Sequence, residues 1–292
     1  DIEVEMQWFT RRMGKTTVVG VDKSLEMLRH CTGYFDGDKF VDTSKSLEVW
    51  AVQDGSIVKY EGDPTKIQPV IKVRGRYRDF ALLETPTLGI LTRSSRVATN
   101  VYETLVASRG KPVLFFPARF DVHEVQAADG YAYNIALLRF NKDHAQELGA
   151  FVSTDAQGDW WGGAGGGTVA HAAIASFLGD TAEAMMQFSH ILPARIPRIA
   201  LVDFNNDSVR DSLRVLDAMF AKYRELMDAG YHEEAEKYKL YGVRLDTSGS
   251  LRDVSVQPLG EPALDLGVNP RLVFNVRQGL DNAWESWNVP TS

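Results

Sequence analysis

The chain has one cysteine, Cys31, in 292 residues. No intrachain disulfide can form, and such usage suits a reducing compartment rather than a disulfide-stapled scaffold. No run of 18 apolar residues occurs, which excludes an ordinary transmembrane helix. The opening residues, Asp1-Ile2-Glu3-Val4-Glu5, have no signal-peptide pattern, and a cytoplasmic location is expected. Nor is there an excess of positive charge: 32 Lys and Arg stand against 39 Asp and Glu, a net charge of −7. That balance argues against general nucleic-acid binding but not against an anionic substrate, because a few placed arginines set the local field. C-x-x-C, H-E-x-x-H, P-loop and G-x-S-x-G motifs are absent, so zinc-finger, zincin, Walker and α/β-hydrolase chemistry lack support. There is no internal repeat and no low-complexity tract beyond a glycine cluster at 162–167.

What is present divides into two styles. The first 75 or so residues read as mixed α and β: a helix beginning at Ser24–Leu28, an alternating strand at Leu47–Val52, a turn at Asp54-Gly55, and Ser56–Tyr60 returning as a hairpin partner. Val70–Gly75 is another strand. From Asp79 to about Ser108 the period becomes helical, with breaks expected near Pro86 and Gly89. Beyond 110, short apolar runs at 113–116, 150–154, after Thr168, at 198–203 and at 241–246 alternate with helical stretches at 123–140, 181–192, 208–229 and 270–287. The 208–229 helix carries Leu213, Leu216, Met219, Phe220 and Tyr223 on one face. Alternation of this kind implies parallel β/α units. No G-x-G-x-x-G follows the first of these strands, so a closed barrel fits better than a dinucleotide-binding sheet. The fold class expected is α/β. An N-terminal α+β sandwich-like domain with its long connecting helix (1–110) precedes an irregular β/α barrel (111–292).

A barrel places its chemistry at the C-terminal ends of its strands. Those ends carry Arg119; Ser153, Thr154 and Asp155; Thr168 and His171; Asp203; and Arg244, Asp246, Thr247 and Ser248. Arginine matches phosphate or carboxylate bidentately, paired aspartates suit Mg²⁺ shared with pyrophosphate oxygens, and a histidine serves as proton donor or phosphoryl acceptor. The set suits a phosphorylated, anionic substrate better than a peptide or lipid. Plainer readings compete: a strand-end Asp or Arg is often a cap or ion pair, His123 is structural, and His144 and His232 are solvated. Met185-Met186 reads as core, Trp160-Trp161 before the glycines as a packed flap or subunit contact or as part of a flexible loop, and Arg74, Arg76 and Arg78 as a solvated strand end.

The motifs resemble those of the nicotinate phosphoribosyltransferase family, within the type II phosphoribosyltransferases that include the nicotinamide and quinolinate enzymes. Gly75-Arg76-Tyr77 through Glu84-Thr85-Pro86 looks like the approach to the family's long helix, and Phe116-Pro117-Ala118-Arg119 like its Phe-x-x-Arg strand end. Ser153-Thr154-Asp155 looks like its second strand end, and Gly167-Thr168-Val169-Ala170-His171 like its Gly-Thr-x-x-His signature. Leu201-Val202-Asp203 and Val243-Arg244-Leu245-Asp246-Thr247-Ser248-Gly249 look like the strands that hold ribose, Mg²⁺ and pyrophosphate. The resemblance implies transfer of phosphoribose from 5-phosphoribosyl-1-pyrophosphate to nicotinate, coupled to ATP, toward NAD, by a cytoplasmic homodimer. It implies that Phe116 stacks on the pyridine ring and Arg119 holds its carboxylate, with Ser153 and Thr154 beside it. Asp203 and Asp246 would organise ribose and Mg²⁺-pyrophosphate with Thr168, Thr247 and Ser248, Arg244 would neutralise charge, and His171 would accept phosphate from ATP. Asp155 favours an amide over an acid, which keeps a nicotinamide-using enzyme open. Two departures stand. A Thr-Asp-x-Tyr-like start would put Glu3 or Val4 where the family has Tyr. No Ser-Gly-Gly strand end follows Asp246, Gly279-Leu280-Asp281 being a poor substitute, so the barrel is expected to lack its last strands in this chain. Other readings are an aldolase-like barrel lyase, weakened by the absence of a strand-end lysine, and a non-catalytic nucleotide-binding relative.

Overall fold

Alternating burial along Glu3–Phe9 makes β1, which lies antiparallel to β7 (Pro69–Arg76). In the computed structural model, which describes residues 2–287, the chain divides into two compact units, Asp1–Gly167 and Thr168–Ser292. The domain limit expected at 110/111 falls inside the first unit, just past its longest helix.

In the first unit β7 is the centre of a three-stranded sheet, order β1-β7-β5, with β5 at Glu48–Ala51. Its buried Val70, Ile71 and Val73 join Trp8, Val18, Leu28 and Phe80 in one core. β2 (Gly14–Thr17) pairs with β6 (Ile57–Tyr60), and β3 (Gly33–Asp36) with β4 (Lys39–Asp42). Helix α1 spans Val21–Cys31. The hairpin expected between 47–52 and 56–60 does not form. The turn residue Gly55 instead donates its N–H to Val18 O at 2.8 Å, and Val18 N donates to Ser56 O at 2.8 Å. That ladder sends β6 to β2 and leaves β5 to β7.

After α2 (Tyr77–Phe80), α3 runs unbroken over Glu84–Ser108. Pro86 is harmless because it sits in the first turn, where a backbone N–H has no helical acceptor. The helix stops at Arg109 and Gly110, both with positive φ. Helix α4 (Gln126–His144) packs on it through Ala98, Leu105, Ala132, Tyr133, Ala136 and Phe140. The strands expected at 113–116 and 150–154 shrink to single parallel bridges, Phe115 to Val152 and Val152 to Gly165. Pro117 offers no N–H to extend the first, and the partner of the second is a glycine run. That run is packed rather than slack: a Cβ on Gly163 would meet the Trp161 ring at 2.1 Å, and one on Gly165 the Thr154 backbone at 2.5 Å.

The second unit holds α5 (His171–Ala175), α6 (Thr181–Ile191), β8 (Arg198–Leu201), α7 (Ser208–Asp228), α8 (His232–Ala235), β9 (Leu240–Arg244), α9 (Pro262–Asp265) and α10 (Pro270–Ser286). β8 and β9 are parallel neighbours. Met185 from α6 and Val215 and Met219 from α7 cover Ala200 and Val202. The buried stripe of α7 is Ser208, Asp211, Ser212, Val215 and Met219, so Leu213, Leu216, Phe220 and Tyr223 flank it half-buried. Gly279 lies inside α10, where a Cβ would meet Val209 of α7 at 3.1 Å, so it marks helix packing and not a phosphate loop. Among the described residues the parallel strands form no closed barrel. No described helix is long and apolar enough to cross a membrane.

Candidate active site

Asp203 and Asp246 each lie two residues beyond the end of a strand, and β8 and β9 run side by side with Leu201 opposite Arg244. Val202 N donates to Arg244 O at 3.2 Å, which carries the register past the strand end. Parallel pairing therefore brings both carboxylates to one edge. His171 opens α5 and stands between them: Nε2 is 2.9 Å from Asp203 Oδ2, and Nδ1 is 3.9 Å from Asp246 Oδ2. Arg244 Nη2 donates to Asp246 Oδ2 at 2.6 Å and its Nη1 to Val169 O at 3.2 Å. The Asp203 side chain is 6% exposed while His171 is 39% exposed, so the histidine faces solvent on one side and a buried carboxylate on the other.

Two polar atoms at this edge are buried with no hydrogen-bond partner among the described residues: Asp203 Oδ1 and Thr247 Oγ1. An unsatisfied buried acceptor is costly, and such atoms in a cleft point to a ligand donor or cation. Oδ1 of Asp203 with the half-exposed Asp246 is a donor set of the kind that holds Mg²⁺ while leaving its other positions to phosphate oxygens and water. Ser248 is exposed, its Oγ 3.0 Å from that of Ser250. Thr168 is exposed in the segment before α5.

The remaining candidates belong to the first unit. Phe116 is half-buried, next to Phe115, which stacks on Tyr133 at 5.2 Å. Arg119 is exposed and has no ion-pair partner among the described residues. Ser153 is buried, and its N–H and Oγ both donate to Gln157 Oε1, at 2.9 and 3.1 Å. Thr154 opens the turn that follows, its backbone O accepting Gln157 N at 3.2 Å, and Asp155 Oδ1 accepts from Gly165 N at 2.7 Å. The structure thus brings His171, Asp203, Arg244 and Asp246 together, with Thr247 beside them in the chain, whereas Ser153 and Asp155 are engaged in holding their own loop. Asp1, the first residue of the expected Tyr-containing segment, lies outside the described residues.

Several residues escaped the sequence reading. Asp253, fully buried, accepts Ser208 N at 2.9 Å and Ser255 N at 2.9 Å, and so ties the loop after β9 to the start of α7. Burial raises its pKa, but the serine hydrogen bonds outweigh this and hold it below the ordinary value. Asp129, also buried, takes a bidentate pair from Arg93 at 2.9 and 2.7 Å. Arg76 and Arg78, read as solvated, grip buried Asp79 at 2.9 and 3.2 Å. An Arg-x-Arg-Asp run at a strand end was the only available signal. Of the plainer readings, Met185 is core, and Trp161 is packed with Nε1 donating to Gln157 O at 2.8 Å.

Residues 1–95 match the model of the quinolinate phosphoribosyl transferase N-terminal domain. No curated protein matches the sequence. The structure is similar to that of nicotinate-nucleotide pyrophosphorylase from Pyrococcus furiosus, with 23% identity and a TM-score of 0.64, over 96% of this chain and 56% of that one. It is also similar to human nicotinic acid phosphoribosyltransferase, with 15% identity and a TM-score of 0.54, over 99% of this chain and 62% of that one. The chain therefore spans less than two thirds of either relative. Its first third is similar in sequence to the quinolinate phosphoribosyl transferase N-terminal domain, and its fold is the mixed α/β fold of these two structures.

Proposed function

We propose that the chain transfers phosphoribose from 5-phosphoribosyl-1-pyrophosphate to nicotinate, with ATP as co-substrate, giving nicotinate mononucleotide for NAD synthesis. The observation that carries this reading is the His171 ring held between Asp203 and Asp246 at the ends of two parallel strands, with Arg244 on Asp246. In the reaction the pyridine nitrogen forms a bond to C1 of the ribose as the C1–O bond to pyrophosphate breaks. Charge moves onto the leaving group and the sugar carbon, so the protein contributes by positioning and electrostatics. Arg244 answers negative charge on the leaving pyrophosphate. Asp203 and Asp246 would hold Mg²⁺, which supplies charge neutralisation on those oxygens, and Thr247 Oγ1 donates to the substrate. Bound to Asp203 through Nε2, the His171 ring leaves Nδ1 to accept a phosphoryl group from ATP as the bond to ADP breaks. Phe116 and Arg119 are the proposed contacts to the base, with Ser153 and Thr154 behind them, Thr168 and Ser248 complete the phosphate contacts, and the working form is a homodimer.

A second reading takes quinolinate as the base, with CO₂ released in addition and no ATP. It is favoured by the domain model matched over residues 1–95. Mononucleotide formation with Mg²⁺ and each of nicotinate, quinolinate and nicotinamide, with and without ATP, separates them. Product from nicotinate that rises with ATP supports the first reading. Product from quinolinate with stoichiometric CO₂ and no ATP effect replaces it with the second. Tight binding of the phosphoribosyl donor without any product overturns both in favour of a non-catalytic binder.

A further inference from the structure

The loop after β8 is short and heavily bonded. Asp203 to Asn206 form a turn in which Asn206 N donates to Asp203 O at 2.9 Å. Asn206 has a φ of 54°, in the left-handed region that asparagine tolerates better than most non-glycine residues. Its Nδ2 donates to Arg252 O at 2.9 Å, and its backbone O accepts Val254 N at 3.1 Å. Asn206 therefore grips the far end of the loop after β9, whose near end carries Asp246, Thr247 and Ser248. Its own Oδ1 is buried with no hydrogen-bond partner among the described residues. A left-handed residue with an unsatisfied buried oxygen opposes stability, and such costs concentrate at functional sites.

Asn205 reaches the other way. Its Nδ2 donates to Gly179 O at 3.0 Å and to Asp211 Oδ2 at 2.7 Å. Both partners are acceptors, so the amide nitrogen and not its oxygen must face them. Gly179 closes the far end of α5, its N–H donating to Ile174 O at 3.1 Å. Helix α5 starts at His171 and has five residues, too few to persist without tertiary support. Buried Ile174 anchors its inner side. Asp211 is 1% exposed, in the first turn of α7. Asn205 thus fastens the helix that presents His171 to α7. Adjacent asparagines hold the two flanks of Asp203, one the His171 helix and the other the Asp246–Thr247 loop.

We propose that Asn205 and Asn206 are positioning residues for the His171–Asp203–Asp246 edge, each acting through a second residue. Asn205 sets the His171 ring against Asp203. Asn206 sets Thr247 and Asp246 beside it. Their role is defined for the transfer reaction proposed above and rests on it. A displacement of about 1 Å at such a site is enough to slow a reaction by about a hundredfold.

The test reads position directly. Asn205→Asp keeps the side-chain shape and removes both donors, while Asn206→Asp keeps a residue that tolerates the left-handed turn and removes the donor to Arg252. In ¹⁵N-labelled whole chain, the His171 ring signals are assigned by their loss in His171→Gln and the Thr247 amide by its loss in Thr247→Val. Asn205→Asp is expected to move the His171 ring signals toward those of the exposed histidines and to leave the Thr247 amide in place. Asn206→Asp is expected to do the reverse. With the proposed substrates, Asn205→Asp lowers the ATP-stimulated kcat by about tenfold at a nearly constant KM for the phosphoribosyl donor, and Asn206→Asp raises that KM by about tenfold with less effect on kcat. Asn205→Ala, which adds no charge beside Asp211, carries the first arm if the aspartate variant does not fold. The proposal is overturned if the His171 and Thr247 signals stay in place whatever happens to the thermal midpoint, as a purely structural role requires, or if both variants move both signals alike. Absence of mononucleotide from the parent chain defeats the transfer reaction and leaves the spectra to decide whether the two asparagines hold this edge.

Discussion

His171 has two separable tasks in this structure, and substitution distinguishes them. Its Nε2 satisfies Oδ2 of a carboxylate that is 6% exposed and whose other oxygen already lacks a partner. Removing the ring leaves Asp203 wholly unpaired, which costs roughly 1–2 kcal/mol because the histidine itself is half-exposed. His171→Ala is therefore expected to lower the thermal midpoint by a few degrees and to abolish ATP stimulation more than basal mononucleotide synthesis. His171→Gln returns a donor near Asp203 without a phosphoryl acceptor, so it recovers the midpoint and not the ATP effect. Steady-state rates with and without ATP, beside melting curves of both variants, check this. Equal loss of basal and stimulated rates in both variants removes the phosphoryl-acceptor role. Asp203, Arg244 and Asp246 were legible from strand-end position and chemical type, whereas His171 opens α5 with no strand directly before it and was legible only from its motif. Asp129 and Asp253 were not legible, because what makes each noteworthy is burial and partnership with a residue far along the chain, Arg93 for the first and Ser208 for the second.

Among elements, the helices were read closely and the sheets were not, for a physical reason. A helix satisfies its backbone locally, so period and caps suffice: α6 begins after Asp180, which accepts from Ala182 N and Glu183 N, and α10 begins at Pro270, just after Asn269. A strand is defined by its partner. The 56–60 segment has the same alternation whether it pairs with 47–52 or with β2, and the bonds of Gly55 and Val18 decide. Likewise Val152 reads as a strand centre but finds only Phe115 and Gly165 beside it. Local caps therefore make firm predictions. Asn269 is 5% exposed, and its Oδ1 accepts Arg271 N and Leu272 N, both at 3.0 Å, at the start of a helix whose Leu272 and Val276 are core. Asn269→Ala is expected to cost about 1 kcal/mol, Asn269→Asp much less, by urea denaturation. A loss within error for the alanine variant means the first turn of α10 is held by packing alone.

At the scale of the whole molecule, the buried carboxylates of both units set its response to acid. Asp79 in the first unit and Asp253 and Asp265 in the second are each buried and each held below the ordinary value. In every case desolvation pushes upward and is outweighed by hydrogen bonds: from Thr43, Arg76 and Arg78 on Asp79, from Ser208 and Ser255 on Asp253, and from Leu259 and Gly260 N–H groups with Arg271 on Asp265. A carboxyl with a lowered folded-state pKa binds fewer protons folded than unfolded. Its stabilisation is complete above the unfolded value of 3.8 and is lost as pH falls through the lower folded value. Asp54 has the opposite sign: burial raises it, so its ionisation opposes folding as pH rises. Three against one gives a thermal midpoint that is flat near neutrality and falls steeply below about pH 4. Asp253→Asn isolates one contribution. It loses the charge-assisted bonds to Ser208 and Ser255, so its midpoint is lower than that of the parent at pH 7, and the gap narrows as pH falls below the unfolded value of 3.8 toward the lower folded one, where the parent's own Asp253 takes up its proton. Circular-dichroism melts of the two proteins between pH 3 and 7 provide the measurement. Parallel curves with a constant gap would mean that Asp253 holds the loop after β9 through shape and not through its charge.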